Sequence, residues 1–389
     1  MKFSLMFEAQ MVDTSRANER KLFNDIVEQC VLADELGYDG IWAVEHTALT
    51  QYAHMSAPET FLAFVAGKTK KIRIGHGVVC LPPAMNHPVK VAERIATLDI
   101  LSNGRVDFGM GKGGTQQESG TFGYDINDLA PQIDEMMYLI PKILKDGFVE
   151  HDGKYVKIPR RPIHPSPVQE PHPPLFMACT RTDSLVTAGS RGIGALVMGF
   201  GGREEIFEKN KIYRDSFRNR KIEDQVGFRP TEHLAALCPT VVLKDRVRAR
   251  RLGVRAQRFL GESIRYWYAG GPQPIFLDEN DATDDAAILA RQREDFVAFL
   301  GEQKIPVTSE KIDQFQVNND AYGDAEDCRR QVQGLVDAGA DEIMFMINMG
   351  GISQDVMLES IRIIAEEVIP QIREYCRSES NPNRAAVGA

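Results

Sequence analysis

The sequence predicts an α/β protein that folds as a (β/α)8 TIM barrel with insertions. Short apolar segments alternate with amphipathic helical segments along most of the chain, a pattern typical of a parallel sheet covered by helices. About eight of these strand and helix pairs occur, the number that closes such a barrel. The 389 residues, of which 43% are hydrophobic and 26% charged, provide ample material for its core.

The predicted strands are short segments rich in apolar residues. They comprise residues 3–7, 40–44, 72–81, 105–110, 175–179, 194–198, 234–242 and 342–347. Helices are predicted between them, where apolar residues recur every three or four positions. They comprise residues 22–36, 58–67, 88–102, 126–145, 184–191, a long helix from about 204, 286–300, 324–338 and 353–374. A β-hairpin at 148–158 and a proline-rich stretch at 159–174 form an excursion from this alternation.

Residues 270–323 interrupt the alternation of strands and helices. The stretch begins with Gly-Gly-Pro, is rich in Asp and Glu and contains one helical piece, so we expect a lid-like insertion there. The polar segment 378–389 is expected to be a disordered tail. Residues 1–377 are therefore predicted to form a single barrel domain.

The most informative segment runs from residue 87 to residue 114. Pro88 suits the first position of a helix, and Asn103-Gly104 provides the left-handed residue that ends one. The strand that follows runs into the glycine-rich segment 111–114. Glycines allow backbone N–H groups to approach a ligand closely, and Lys112 adds a positive charge. The segment therefore predicts a phosphate-binding loop at the C-terminal end of a strand.

A second interpretation of these glycines is the dinucleotide-binding fingerprint G-x-G-x-x-G, which Gly109, Gly111 and Gly114 match formally. That fingerprint requires a helix that begins at the third glycine. Residues 115–123 are polar and contain glycine, so we expect no helix there. A phosphate loop within a barrel is therefore favoured over a Rossmann domain, and a simple tight turn remains the structural alternative.

Charge and composition exclude several classes of partner. The 46 basic and 55 acidic residues give a net charge of −9, which disfavours nucleic acid and anionic membranes. The cysteines lack metal-type spacing, and no metal site is expected. They are Cys30, Cys80, Cys179, Cys238, Cys328 and Cys376. Because no signal peptide or membrane-spanning stretch precedes the first strand, we expect a cytoplasmic protein with reduced thiols.

The segment 87–113, together with Glu45-His46 and residues 75–79, resembles the bacterial-luciferase-like, flavin-dependent monooxygenases. The resemblance covers nearly the whole chain, and residues 7–10 and 53–59 look most like the limonene-monooxygenase-like branch. It implies a barrel that binds reduced FMN (FMNH2) supplied by a separate NAD(P)H-dependent flavin reductase. It further implies that O2 adds at flavin C4a to give a peroxyflavin, which oxygenates a small hydrophobic substrate. A homodimer is expected.

The resemblance also assigns site residues. The family's catalytic histidine falls on His46, at the end of a predicted strand, and His76 is expected to line the same opening. The residues expected to bind the flavin are Gly77, Val78, Met110, Lys112, Gly113, Thr180, Arg181, Ser184 and Met198. The bond between Gly77 and Val78 matches a non-proline cis peptide of the family.

The loop that contains residues 180–184 also permits a purely structural interpretation. A helix N-terminus with hydroxyl groups and an arginine is favourable for a phosphate, but ordinary capping of the helix by Thr182 or Asp183 explains the same residues. Two departures from the family bear on activity. Thr47 stands where many members have a second histidine, and Gly111 stands where the light-emitting luciferase subunit has its reactive cysteine. Light emission is therefore not expected.

Two alternatives to a monooxygenase remain open. One is an oxidoreductase that uses the deazaflavin F420 as hydride donor on the same barrel. The other is a non-catalytic flavin-binding partner subunit, against which the presence of His46, Lys112 and Arg181 argues.

Overall fold

Eight parallel strands close into a barrel in the computed structural model, which describes residues 1–200, 202–302 and 321–378. The barrel strands are β1 (Lys2–Phe7), β2 (Gly40–Ala43), β3 (Arg73–Cys80), β4 (Val106–Gly111), β7 (Leu175–Cys179), β8 (Gly194–Val197), β9 (Leu234–Val242) and β11 (Glu342–Met346). They pair in this order, and β11 pairs with β1 to close the barrel. The predicted (β/α)8 class and the positions of its eight strands are confirmed.

Three further strands lie outside the barrel. Strands β5 (Phe148–Asp152) and β6 (Lys157–Pro162) form the predicted antiparallel hairpin. Strand β10 (Ala321–Gly323) extends the sheet by pairing with the end of β9.

Helices follow the strands and cover the barrel. They are α1 (Arg16–Leu36), α2 (Pro58–Lys68), α3 (Pro88–Leu101), α4 (Gln116–Phe122), α5 (Leu129–Asp146), α6 (Thr182–Ser190), α7 (Gly202–Arg218), α8 (Arg246–Ala269), α9 (Asp285–Glu302), α10 (Ala325–Asp337), α11 (Gln354–Ile363) and α12 (Ile369–Arg377). A π-helical turn, Ile364–Val368, joins the last two, so the predicted final helix is interrupted.

Helix α3 shows how the local sequence sets the ends of an element. Pro88 occupies its first turn, and the ring of His87 accepts a hydrogen bond from Val89 N at 3.4 Å. Asn103 and Gly104 follow the helix with positive φ angles of 56° and 76°. Both ends of this helix therefore agree with the sequence pattern.

Two helices were not predicted. Helix α4 begins at Gln116, where we expected none, because Thr115 and Glu118 form a reciprocal capping box. Helix α8 is 24 residues long and contains seven arginines, at 246, 248, 250, 251, 255, 258 and 265, which obscure its apolar positions.

Arginines of α8 also hold the expected lid segment. The buried Arg255 side chain donates to Asp285 Oδ1 at 3.0 Å and to the carbonyl of Thr283 at 2.9 Å. Arg248 binds Glu279 at 2.8 Å, and Arg251 donates to the carbonyl of Asp281 at 2.7 Å. Residues 279–285 therefore lie against α8 through charged contacts. Residues 303–320 of the predicted insertion and 379–389 of the predicted tail lie outside the described residues.

The barrel interior contains a polar cluster near the N-terminal ends of its strands. Glu342 accepts hydrogen bonds from Trp42 Nε1 and His233 Nε2, each at 2.8 Å, and from the Ser4 hydroxyl. Phe176 packs edge-on against Trp42, with ring centroids 5.0 Å apart. Burial would raise the pKa of Glu342, but these three donors lower it to about 2. The carboxylate is therefore an anion fixed inside the barrel.

The six cysteines are buried, and none of them forms a disulfide. Among the described helices, none combines the length and the apolar character needed to cross a membrane.

Candidate active site

The predicted site residues lie on loops at the C-terminal ends of the barrel strands. His46 follows β2, and Lys112 with Gly113 follows β4. Because β4 pairs with β7 and β7 pairs with β8, the loops after these three strands emerge side by side. Lys112 and Gly113, the segment 180–184 and Met198 are thus on one edge of the barrel, where ligands of this architecture bind.

His46 is buried between two carboxylates. Its Nδ1 atom lies 3.0 Å from Glu118 Oε1, and its Nε2 atom lies 3.7 Å from Glu8 Oε2. The ring of Tyr52 is also close, with centroids 5.2 Å apart. Burial lowers the pKa of His46, but the Glu118 hydrogen bond and the charges of Glu8, Glu118 and Glu45 raise it above its ordinary value. The imidazole therefore favours its charged form.

Glu118 is the carboxylate that orients His46, and its position follows from the capping box of α4. Its Oε2 atom accepts from Gly114 N at 3.1 Å, Thr115 N at 3.0 Å and Thr115 Oγ1 at 2.9 Å. Burial raises the pKa of Glu118, but His46 and these donors hold it below its ordinary value. The pattern Thr-x-x-Glu at 115–118 is the sequence signal that could have identified this residue.

Glu45, the sequence neighbour of His46, faces away from the imidazole. Its carboxylate accepts from Cys80 N at 2.6 Å and from Asn86 Nδ2 at 3.0 Å. Successive side chains alternate at the end of β2, so Glu45 faces the helices while His46 faces the barrel opening. The carboxylate partner of His46 is therefore Glu118 and not Glu45.

His76 lies apart from His46. It lines a cavity of about 10 Å³ behind β3, together with Glu45, Pro58 and Arg94. Burial, together with the Arg94 charge, lowers the pKa of His76 to about 3. The imidazole is therefore neutral, and the expectation that it lines the same opening as His46 is not met, because alternation along β3 turns it toward α2 and α3.

The loops expected to bind phosphate are open to solvent. The Lys112 and Arg181 side chains are exposed, and Gly113 has a φ of 71°. Helix α6 begins after Arg181, which is its N-cap, so neither Thr182 nor Asp183 has that role. Ser184 Oγ accepts from Arg181 N at 3.1 Å and donates to Arg181 O at 2.7 Å. Thr180 precedes this turn directly.

Val78 fills the space beside two glycines of β4. A Cβ atom on Gly109 would lie 3.2 Å from Val78 Cγ1, and one on Gly111 would lie 2.2 Å from Val78 Cγ2. The cis peptides of the described residues are His164–Pro165 and Glu170–Pro171, so the expected one between Gly77 and Val78 is not found. A register shift between residues 76 and 79 occurs there instead.

The two methionines expected near the flavin differ in position. Met110 is completely buried, and alternation along β4 places it on the face opposite to the glycines at 109 and 111. It therefore packs toward the helices and not into the opening. Met198 follows β8 and is half-buried, and its carbonyl accepts from Lys209 Nζ at 2.9 Å.

Aromatic side chains from the end of α8 lie over the opening. The Tyr268 ring covers Gly114, since a Cβ atom there would lie 2.4 Å from it, and it meets Tyr52 with centroids 6.2 Å apart. Trp267 Nε1 donates to the Thr50 carbonyl at 2.8 Å. Glu8, Tyr52, Glu118 and Tyr268 are site residues that the sequence did not reveal.

Comparison with known proteins shows which family and fold this chain resembles. The model of the family described as luciferase-like monooxygenase matches residues 1–342. A flavin-dependent trigonelline monooxygenase, oxygenase component, from Acinetobacter baylyi is 33% identical over 213 residues. The match covers 54% of this chain and 57% of that protein, so the chain spans little more than half the length of this relative.

Several solved structures share the fold. A monooxygenase from Streptomyces bottropensis has a TM-score of 0.74 at 22% identity, covering 96% of this chain and 100% of its own. The oxygenating constituent of 3,6-diketocamphane monooxygenase from Pseudomonas putida, in complex with FMN, has a TM-score of 0.72 at 20% identity. This match covers 95% of our chain and 98% of that chain. The coenzyme F420 dependent tetrahydromethanopterin reductase from Methanopyrus kandleri has a TM-score of 0.65 at 20% identity. This match covers 95% of our chain and 99% of that chain.

Proposed function

Because the chain belongs to the luciferase-like monooxygenase family, we propose that it is the oxygenase component of a two-component system that uses reduced FMN and O2. A separate NAD(P)H-dependent reductase supplies the reduced flavin, and one oxygen atom enters a small hydrophobic organic substrate. The name of the Acinetobacter baylyi relative, an oxygenase component, supports the need for a separate reductase. We expect a homodimer in the cytoplasm.

The observation that carries this proposal is the His46–Glu118 pair beside the loop of Lys112 and Gly113. The pair places a proton-carrying imidazole, at 3.0 Å from its carboxylate, next to a loop suited to an anion. Strand neighbours bring the cationic Lys112 and Arg181 and the hydroxyls of Thr180 and Ser184 to one edge. Two exposed cations with hydroxyl donors fit the phosphate of FMN.

The roles of the chain's own residues follow from this geometry. Lys112 and Arg181 bind the phosphate, and bound reduced FMN supplies the electrons that activate O2. Glu118 accepts the proton on His46 Nδ1 and so fixes the orientation of the imidazole, while Nε2 holds or donates the second proton. The rings of Tyr52 and Tyr268 restrict the access of water to this proton.

A deazaflavin-dependent oxidoreductase remains the second candidate, since the F420-dependent reductase from Methanopyrus kandleri shares the fold. The two candidates use different cofactors, so a comparison of FMN binding with F420 binding separates them. Purified protein is titrated with FMN and with F420, and the change in each absorbance spectrum gives the affinity. We expect binding of FMN, and exclusive binding of F420 would contradict the proposal.

The decisive experiment is turnover with labelled oxygen. The protein is supplied with FMN, NADH, an unrelated flavin reductase, ¹⁸O2 and a panel of terpenes, ketones, aldehydes and amines. We expect one ¹⁸O atom in the product of at least one substrate. Without the reductase we expect no useful oxidation of NADH or NADPH, because no nicotinamide-binding domain accompanies the barrel in the described residues. Rapid NADPH oxidation by the protein with FMN alone would indicate a single-component enzyme.

A further inference from the structure

The two carboxylates beside His46 come from different parts of the barrel. Glu118 belongs to α4 and approaches Nδ1, whereas Glu8 follows β1 and approaches Nε2. Glu8 and Glu118 are both buried, and only 13% of the His46 side chain is exposed. Both ring nitrogens thus face acids and not open solvent.

The two carboxylates differ in how many hydrogen bonds they accept. Glu118 Oε2 accepts from two backbone N–H groups and one hydroxyl, and its Oε1 faces His46. Tyr52 hydrogen-bonds the Glu8 carboxylate, but Glu8 Oε2 is buried and accepts no hydrogen bond from any described residue. An anion held by several donors gains a proton only at high cost, whereas a buried carboxylate with one unpartnered oxygen gains one more readily. Of the two acids, Glu8 is the one able to take a proton.

We propose that Glu8 is a positioning residue that shares one proton with His46. The N–H bond at His46 Nε2 breaks and an O–H bond forms at Glu8 Oε2, so imidazolium and carboxylate become neutral imidazole and carboxylic acid. No charge leaves the site, and no further reactant is needed. The step requires the 3.7 Å separation to shorten by about 0.7 Å, to hydrogen-bond distance. This proposal rests on the proposed function, since it assigns a reservoir for the proton that His46 handles.

The other groups around His46 leave this role to Glu8. Glu45 is the third carboxylate close enough to act on His46, but it accepts from Cys80 N and Asn86. Burial raises the pKa of Tyr52 well above the ordinary value, so this phenol stays neutral. Burial also raises the pKa of Glu8, in the direction that a proton-sharing acid requires.

The test is the titration of His46 in the intact protein, which does not depend on turnover. The eight histidines are labelled with ¹³C at Cε1, and the His46 signal is identified by its loss in His46→Asn. We expect the midpoint of this signal in Glu8→Gln to move to lower pH by about 1 unit, because an acid near Nε2 has been removed. Glu8→Asp keeps the charge, so its His46 midpoint should stay close to that of the original protein.

The matched control is Glu59→Gln, which removes a half-exposed carboxylate that pairs with Arg94 at 2.7 Å and not with His46. It should leave the His46 midpoint unchanged. An unchanged midpoint in Glu8→Gln would overturn the proposal, as would an equal shift in Glu59→Gln. Circular dichroism melting confirms that each variant is folded, and if Glu8→Gln fails to fold, Glu8→Ala must lower the His46 midpoint or the proposal is rejected.

A second measurement connects the pair to turnover. The ratio of product to hydrogen peroxide is recorded against pH. The acidic side of this pH profile should move to lower pH in Glu8→Gln, in parallel with the midpoint of the His46 signal. If the signal shifts but no substrate is oxygenated by the unmodified protein, the proposed function fails and the proton-sharing pair stands. If the unmodified protein oxygenates its substrate and the Glu8→Gln profile is unmoved, the pair fails.

Discussion

At the scale of single residues, the charge of His46 is set by side chains far from it in the sequence. The adjacent Glu45 accepts its hydrogen bonds elsewhere, while Glu8 and Glu118 face the two ring nitrogens. A histidine in this setting favours its charged form near neutral pH and can release a proton when a ligand changes the local field.

His46→Ala should preserve flavin binding and abolish coupled oxygenation. The imidazole is not part of the loops expected to hold the phosphate, so FMN affinity should stay within about threefold of the original. Product formation should fall about 100-fold, the usual effect of removing a general acid or base. The measurement is product and hydrogen peroxide per reduced flavin consumed. Full coupled turnover in this variant would show that His46 has a structural role.

Lys112→Ala and Arg181→Ala should each weaken FMN binding about tenfold, because a hydrogen bond to a charged group contributes roughly 1.5 to 3 kcal/mol. Both side chains are exposed, so neither variant should change the melting temperature. Flavin fluorescence quenching gives the affinity. Lys211→Ala, on the exposed surface of α7, is the control. Unchanged affinity in both variants would show that the FMN phosphate does not bind at this edge of the barrel.

Part of the candidate site could be predicted from sequence, and the reason is geometric. Residues that follow parallel strands must meet at one edge, so the positions of His46 and Lys112 follow from the strand pattern alone. The direction of a side chain depends on which face of a strand it occupies, and sequence alone misplaced His76 and Met110. Glu118 escaped notice because its role requires contacts from three segments.

At the scale of elements, the strands were easier to predict than the helices. Strands inside the barrel are short and apolar, whereas α8 carries seven arginines, several of which bind neighbouring segments. Helix α4 is stabilised by its capping box and not by an apolar stripe, so its amphipathic pattern is weak. Patterns of apolar residues therefore reveal elements whose main contact is the core, and they miss elements held by charges.

Arg255→Met should loosen the segment 271–284. The guanidinium is buried and donates to Asp285 and to backbone carbonyls of that segment. Its removal takes this donor from the Thr283 carbonyl and leaves Asp285 with only the longer contact to Arg251. We expect limited proteolysis within 271–284 to become about tenfold faster, while cleavage of the barrel stays unchanged. Arg291→Ala, which removes an exposed arginine on α9, should have no such effect. Equal cleavage rates in the two variants would contradict the role assigned to Arg255.

At the scale of the whole molecule, the polar cluster in the barrel links stability to acid. The folded protein lowers the pKa of Glu342 to about 2 from its ordinary 4.5, so folding is favoured when this group is ionised. That contribution is complete above pH 4.5 and is lost as the pH falls toward 2. This difference between the folded-state pKa and the ordinary pKa corresponds to roughly 3 kcal/mol of folding free energy.

Glu342→Gln should therefore lower the free energy of unfolding at pH 7 by roughly 3 kcal/mol and flatten its dependence on pH between 5 and 2. Chemical denaturation at a series of pH values gives both quantities. Glu366→Gln changes a carboxylate on an exposed helical turn and is the control. A pH dependence identical to that of the original protein would assign the acid sensitivity to other carboxylates.

The contact between Val78 and Gly111 restricts the evolutionary routes open to this barrel. A cysteine at 111, as in the light-emitting subunit, needs a Cβ atom that would lie 2.2 Å from Val78 Cγ2, closer than any stable contact. We therefore expect a substitution at 78 to be needed before Gly111→Cys is tolerated. Gly111→Cys alone should unfold at lower temperature, whereas Val78→Ala with Gly111→Cys should recover most of the loss in a double-mutant cycle. If the cycle gives this result, valine at 78 favours glycine at 111 on steric grounds alone, independently of the substrate.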